Sequence, residues 1–543
     1  MIKNPIISGF NADPSIVRVK DTYYIACSTF EWWPGVQIHE SKDLVHWHLI
    51  AHPLNETRLL DMKGNPDSAG IWAPDLSWCD GKFYLVYTDV KVTEGAYKDC
   101  TNYLITAEDI MGPWSDPVEL NTSGFDASLF HDEDGKKYLL NMCWDPRTHH
   151  HPFYGIMCTE YSDKEKRLVG APKIIYTGTS EKLTEGPHIY RYNGYYYLFV
   201  AQGGTVYTHQ ERVARARSLN DTFESMPGYP LITQYDAPFH PLQKSGHGSL
   251  VETQNGEWYF VHLMSRPLHH ANESVIDPRG WCPLGRETGI QKIEWREDGW
   301  PYVVGGHNGR EYVEEPVGIT ECGWEMSYPE KDDFDDLELN INFQSLRIPL
   351  GEDIMTLKER PGHLRLYGRQ SLTSTFTQAH IARRWEDFFF NAETKVEYEP
   401  DSFLQMAGLS CYYNTKNWTC ICVTWDEYAG KCIHLLCNDR ARLTYVWKDH
   451  PVPVPAGQKE VYFRVKVRAL EYEYEYSFDG ENWKGTGAFF DSAKLSDDYI
   501  KETYDGAFTG AFTGMFSVDG MGTHKPADFD YFSYKKLEEA QSK

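Results

Sequence analysis

Three carboxylic acids, Asp13, Asp126 and Glu185, stand 113 and 59 residues apart along the chain, yet each precedes an aromatic-rich run by nearly the same interval. Trp72 and His247 take the same station before two further runs. For any one carboxylate, a solvated or capping role is the ordinary reading. Three brought to one place are different: like charges close together cannot all ionise, so at least one acid must keep its proton at neutral pH. A protonated carboxyl facing an ionised one is the apparatus for cleaving a glycosidic bond, in which one group protonates the leaving oxygen while the other activates water or attacks the sugar. Trp72 would supply an apolar wall for the sugar ring.

A repeat is what must bring these residues together. "KDTYYIAC" at 20, "DGKFYLVY" at 80, "DGKKYLLN" at 134, "NGYYYLFV" at 193 and "NGEWYFVH" at 255 each place a turn before an aromatic strand. The D-G and N-G pairs suit a type I′ turn, because both residues tolerate positive φ. The first copy departs, with Lys20-Asp21 where the others have a turn glycine. Aligning Tyr24, Tyr84, Tyr138, Tyr197 and Tyr259 gives spacings of 60, 54, 59 and 62 residues, room for about four short strands each. The spacing predicts an all-β fold opening with a five-bladed β-propeller. Counting back twelve residues from the later tyrosines reaches Trp72, Asp126, Glu185 and His247, and counting eleven from the first reaches Asp13. If the strand before each turn is innermost in its blade, these five are equivalents that converge on the axis at one face.

Bulk properties bound the partners. A chain of 543 residues favours two domains. With 53 basic against 79 acidic residues the net charge is -26, which disfavours a nucleic-acid or anionic-membrane partner and leaves a neutral or cationic ligand. The N-terminal stretch is too short and polar for a signal h-region, and no apolar run reaches transmembrane length. Twelve scattered cysteines read as reduced thiols, so a cytoplasmic location is expected, with a homo-oligomer as the expected assembly. Cys420 and Cys422 could be imagined on zinc, but alternating positions on one strand explain them equally well.

After "GGHNGREYVEEPVG" the five-fold grammar stops, and "TKVEYEP", "YFRVKVRALEYEYEYSFDGENW" and "ADFDYFSYKK" alternate apolar with charged residues as half-buried antiparallel strands do. We therefore expect a propeller over residues 1–312 and a second β domain, sandwich or barrel, over 329–543. Its acidic ends, Asp332-Asp333 and Asp528-Asp530, could bind calcium, or be charged strand ends facing water.

The ordered motifs "NADPSI", "WAPDL", "FDASLF", "TEGPHIY", "SGHGSLVE" and "GRETGIQ" resemble the glycoside hydrolases of family 43, in particular the long β-xylosidase branch with an accessory β-sandwich of concanavalin-like type. That resemblance spans nearly the whole chain. It implies inversion at the anomeric centre, with Asp13 as general base, Glu185 as general acid, and Asp126 as a third carboxylate that holds the Glu185 pKa and orients the ligand. It also implies a substrate-binding role for Arg286, whose bland alternative is a surface pair with Glu287, and an axial place for His247 near a central ion or water. Phe30, Phe125 and Trp144 are expected as pocket walls. "GAFTGAFTGM" matches a sandwich loop that closes one side of the funnel and sets Phe508 at the aglycone side. No cofactor is required by this reading. The expected function is an exo-acting β-1,4-xylosidase on xylo-oligosaccharides; an α-L-arabinofuranosidase, a bifunctional enzyme, or a non-catalytic sugar-binding propeller are the rivals.

Overall fold

The computed structural model describes residues 1–273, 279–319, 330–503 and 506–539; residue 329, the expected start of the second domain, lies outside them. Five antiparallel sheets of the first half follow one plan. Their first strands are Ser15–Val19, Asp75–Cys79, Ser128–His131, Thr184–Tyr192 and Gln243–Glu252. Each pairs through a tight turn with the aromatic strand that follows it. The first strands also pack on one another in a closed ring around the axis. They are therefore the innermost strands of a five-bladed propeller. The ring is closed by the N-terminus: Ile2–Lys3 pairs with Tyr312–Val313, and Ile7 bridges Thr288 in the fifth blade.

The register refines the expected equivalence. The anchor tyrosines Tyr24, Tyr138 and Tyr259 pair with Val17, Phe130 and Val251, four residues past Asp13, Asp126 and His247. Tyr84 and Tyr197 pair with Ser77 and Tyr190, five residues past Trp72 and Glu185. The five lead residues are thus not strict equivalents. Asp13, Asp126 and His247 share one station and one backbone state, with φ of 55°, 54° and 47°. Trp72 and Glu185 sit one residue earlier, and Gly186 fills the left-handed station after Glu185 with φ 57°.

The second half is a sandwich of an eight-stranded and a seven-stranded sheet. Their burial patterns explain the packing. Phe389–Glu397 and Glu460–Arg468, in the eight-stranded sheet, alternate between buried and half-buried, as a sheet wetted on one face must. Gln405–Asn414 and Phe512–Asp519, in the seven-stranded sheet, are buried almost throughout. One face of that sheet joins the sandwich core through Leu409, Ile421 and Met515. The other lies on the propeller, where Phe512 stacks on Trp32 at 3.6 Å and Tyr412 meets Trp32 edge-on; Cys420 and Cys422 belong to the buried cluster that continues from this face into the propeller. Of the acidic strand ends, Asp528-Asp530 faces cations: Asp528 accepts from Arg360 and Arg365, and Asp530 lies 3.0 Å from the Lys395 ammonium.

Candidate active site

The lead residues meet in a cavity of ≈ 190 Å³ on the axis, lined by Asp13, Asp126, Glu185, His247, Arg286, Trp72, Phe30, Phe125 and Phe508. Trp144 is the one expected wall residue placed elsewhere. It lines an adjoining outer cavity of ≈ 790 Å³, where its indole N–H is drawn outward to the Ala96 carbonyl. Trp72, Lys98, Thr205 and Phe508 border both spaces and form the waist between them.

Asp13 is held by three partners. Arg286 Nη1 donates to Oδ1 at 2.8 Å, Ser28 Oγ donates to Oδ2 at 2.7 Å, and His247 Nδ1 lies 3.4 Å from Oδ1. Burial works to raise its pKa, but the Arg286 guanidinium and the Ser28 hydrogen bond hold it below the usual aspartate value. His247 is itself pushed down to about 4 by burial, so near pH 7 it is a neutral ring bridging Asp13 and Asp126. Arg286 is the cation that counts. The anticipated alternative for Arg286 fails, because Glu287 is taken by a two-pronged contact from Arg266.

Glu185 has the opposite surroundings. Its carboxyl makes no hydrogen bond or ion pair to any described residue, and one edge opens on the cavity while protein encloses the rest. Burial, then the negative charge of Asp13, pushes its pKa up to about 7. Asp126 is raised well above the usual value by burial and by the neighbouring Glu185 and Asp13, and its Oδ2 accepts the Gly186 amide at 3.2 Å. Glu185 is therefore lifted by burial and Asp13 first; Asp126 shares in the repulsion and pins the backbone that carries Glu185.

The glycine at 186 is dictated by this crowding. A Cβ there would lie 2.6 Å from His247 Cδ2, on a backbone that side chains rarely adopt. The apolar wall is continuous: Trp72 meets Phe125 edge-on at 4.9 Å and Phe508 at 5.6 Å, and Phe30 lies 5.7 Å from Phe508. Phe508 comes from the sandwich, and its carbonyl accepts from Arg286 Nη2 at 2.8 Å. The second half of the chain thus supplies both a wall and one anchor of the guanidinium.

Sequence reasoning missed Lys98, Gly204, Thr205 and Lys501. Lys501 Nζ donates to the Thr205 carbonyl at 3.1 Å and to its hydroxyl at 2.9 Å, tying the sandwich helix Asp497–Lys501 to the pocket rim. Burial brings its pKa down to about 8. The Gly203-Gly204 pair directly after an aromatic strand was a readable turn signal; Lys98 and Lys501 carried none.

One protonated and one ionised carboxyl, facing a small pocket with aromatic walls, can protonate one side of a bond while water is activated on the other, and the class so defined is a hydrolase of glycosidic bonds. The chain belongs to the glycosyl hydrolases family 43, whose sequence model matches residues 2–301. A model described as the beta xylosidase C-terminal concanavalin A-like domain matches residues 331–535. The chain is 54% identical to a beta-xylosidase of Bacillus subtilis, over 98% of this chain and 99% of that protein. It is 42% identical to a xylosidase/arabinosidase of Humicola insolens, over 99% and 98%. The crystal structure of a xylan beta-1,4-xylosidase from Bacillus halodurans superposes with a TM-score of 0.95 at 50% identity, covering 99% of this chain and all (100%) of that one.

Proposed function

We propose that the protein is an exo-acting, inverting β-1,4-xylosidase that releases xylose from the non-reducing end of xylo-oligosaccharides. The observation that carries this reading is the opposed state of two carboxyls in one small pocket: Asp13 ionised by Arg286, Glu185 raised to about 7 by burial and the Asp13 charge. In the proposed reaction the terminal xylose occupies the inner pocket, with its apolar face on the collar of Trp72, Phe125, Phe30 and Phe508. Glu185 protonates the glycosidic oxygen as the bond to the anomeric carbon breaks. Asp13 takes a proton from a water that attacks that carbon from the opposite face, so the anomeric configuration inverts. Asp126 orients the ligand and the Glu185 backbone. The narrow inner space beside a fourfold larger outer one fits a single sugar held inside and the rest of the chain outside. The eleven described cysteines are all unpaired, in keeping with the proposed cytoplasmic setting.

Initial rates on the nitrophenyl β-D-xylopyranoside and α-L-arabinofuranoside, with xylotriose products followed in time, test the proposal. The expected result is preferred hydrolysis of the xyloside and stepwise release of xylose. Preferred hydrolysis of the arabinofuranoside would overturn the sugar assignment, and sugar binding without turnover would overturn the enzymatic one.

A further inference from the structure

Three of the four aromatic walls trace back to one short stretch, residues 68–72, in the connection between the first two blades. Phe30 exchanges two backbone hydrogen bonds with Ile71, at 2.9 and 3.1 Å. The Trp72 indole N–H donates to the Ser68 carbonyl at 2.9 Å. Phe508, from the sandwich, donates its backbone N–H to the Ser68 hydroxyl at 3.2 Å. Ser68 is fully buried, with a left-handed φ of 59°, and its own N–H donates to Glu31 Oε2 at 3.1 Å. A serine in a strained backbone state that satisfies three separate groups is over-determined by its surroundings, as positioning sites are.

The residue before it is gripped from the sandwich side. Asp67 accepts from Arg347 Nη2 at 2.8 Å and from the Thr415 hydroxyl at 2.6 Å, while Arg347 Nε donates to the Asn65 carbonyl at 2.6 Å. The connection between the first two blades therefore meets the sandwich twice, at Asp67 and at Ser68. From Ser68 the fixed contacts continue through Phe508 N–H, then Phe508 C=O, to Arg286 and Asp13.

We propose that Ser68 is a positioning residue, seating the sandwich loop of Phe508 on the propeller and so setting the waist through which a sugar chain passes from the outer to the inner space. The proposal rests on the xylosidase reading of the site. Ser68 touches no substrate and acts through Phe508 and Trp72. Its hydroxyl is worth an ordinary buried hydrogen bond, so removing it should weaken ground-state binding on the order of 3- to 10-fold.

Ser68→Ala and Ser68→Gly test this, the glycine variant suiting the left-handed backbone without the hydroxyl. In both, KM for xylobiose should rise on the order of 3- to 10-fold while kcat changes by less than about twofold, because loss of uniform binding acts on KM. A merely structural role would lower the folded fraction and hence the apparent kcat, with KM unmoved, and that result would overturn the proposal. Hydrogen exchange supplies a readout that needs no substrate: the Phe508 amide should exchange several-fold faster in both variants. Unchanged exchange at Phe508 would overturn the proposal as well. If the wild-type protein fails to hydrolyse xylobiose, the function proposed above falls, and exchange at Phe508 still decides whether Ser68 seats the loop.

Discussion

Two carboxyls of the same chemistry are given different proton affinities by what stands beside them. Asp13 has a guanidinium and a hydroxyl; Glu185 has burial and a negative neighbour. Asp13→Ala should lower kcat about 10²- to 10⁴-fold with the fold intact by circular dichroism. Glu185→Gln should cost as much on xylobiose and much less on an aryl xyloside with a good leaving group; equal losses across leaving groups would remove Glu185 from the acid's role. The signs of the pH profile follow. Glu185 must be protonated, so kcat/KM should fall as pH rises through about 7, and Asp13 must be ionised, so activity should fall again only below the ordinary aspartate range. Arg286 lowers both groups, so Arg286→Met should move both limbs upward. The carboxyls were legible in the sequence because a repeat fixed their station, and Arg286 because its motif resembled that of a family. Ser68, Lys98 and Lys501 were not, since each works through a contact to a residue remote in sequence.

The five inner strands explain why a propeller suits this chemistry. Each blade delivers one side chain to the axis, and in four of the five a left-handed residue at or beside it, Asp13, Asp126, Gly186 or His247, turns the backbone there. The Tyr anchors predicted five equal stations; the register reveals three, with Trp72 and Glu185 displaced by one residue. Spacing could not distinguish these, because the turns of the third and fifth blades are one residue longer than those of the first, second and fourth. The displacement makes Gly186 indispensable, as it carries the left-handed turn beneath the His247 ring. Gly186→Ala should cost roughly 1–3 kcal/mol in urea unfolding, through backbone strain and the clash with His247. It should also lower kcat, since the same backbone places Glu185. A variant as stable and active as the wild type would disprove this account of the turn.

The two halves of the chain share the active site rather than lying side by side. The alternation of the eight-stranded sheet was readable in the sequence. The central strands of the seven-stranded sheet, buried on both faces, lost that alternation to their contact with the propeller, and no local pattern announced which strands would dock. Paired charges cross this contact: Lys244 donates to Asp498 at 2.5 Å, and Arg347 to Asp67 at 2.8 Å. Arg347 is 1% exposed and also faces Glu31, whose pKa burial pushes up to about 7. Arg347→Met would leave the half-buried Asp67 without its cation, with only Thr415 still donating to it, and should cost about 1–3 kcal/mol in chemical denaturation. A loss near zero would mean that this contact is wetter than its burial indicates.

The division of labour between Asp13 and Glu185 is tested most directly by proton NMR of the first product, recorded before mutarotation, on a β-linked xylo-oligosaccharide. Water delivered by Asp13 opposite the bond that Glu185 protonates must yield α-xylose first. Early β-xylose would mean a covalent intermediate and a different pairing of the carboxyls.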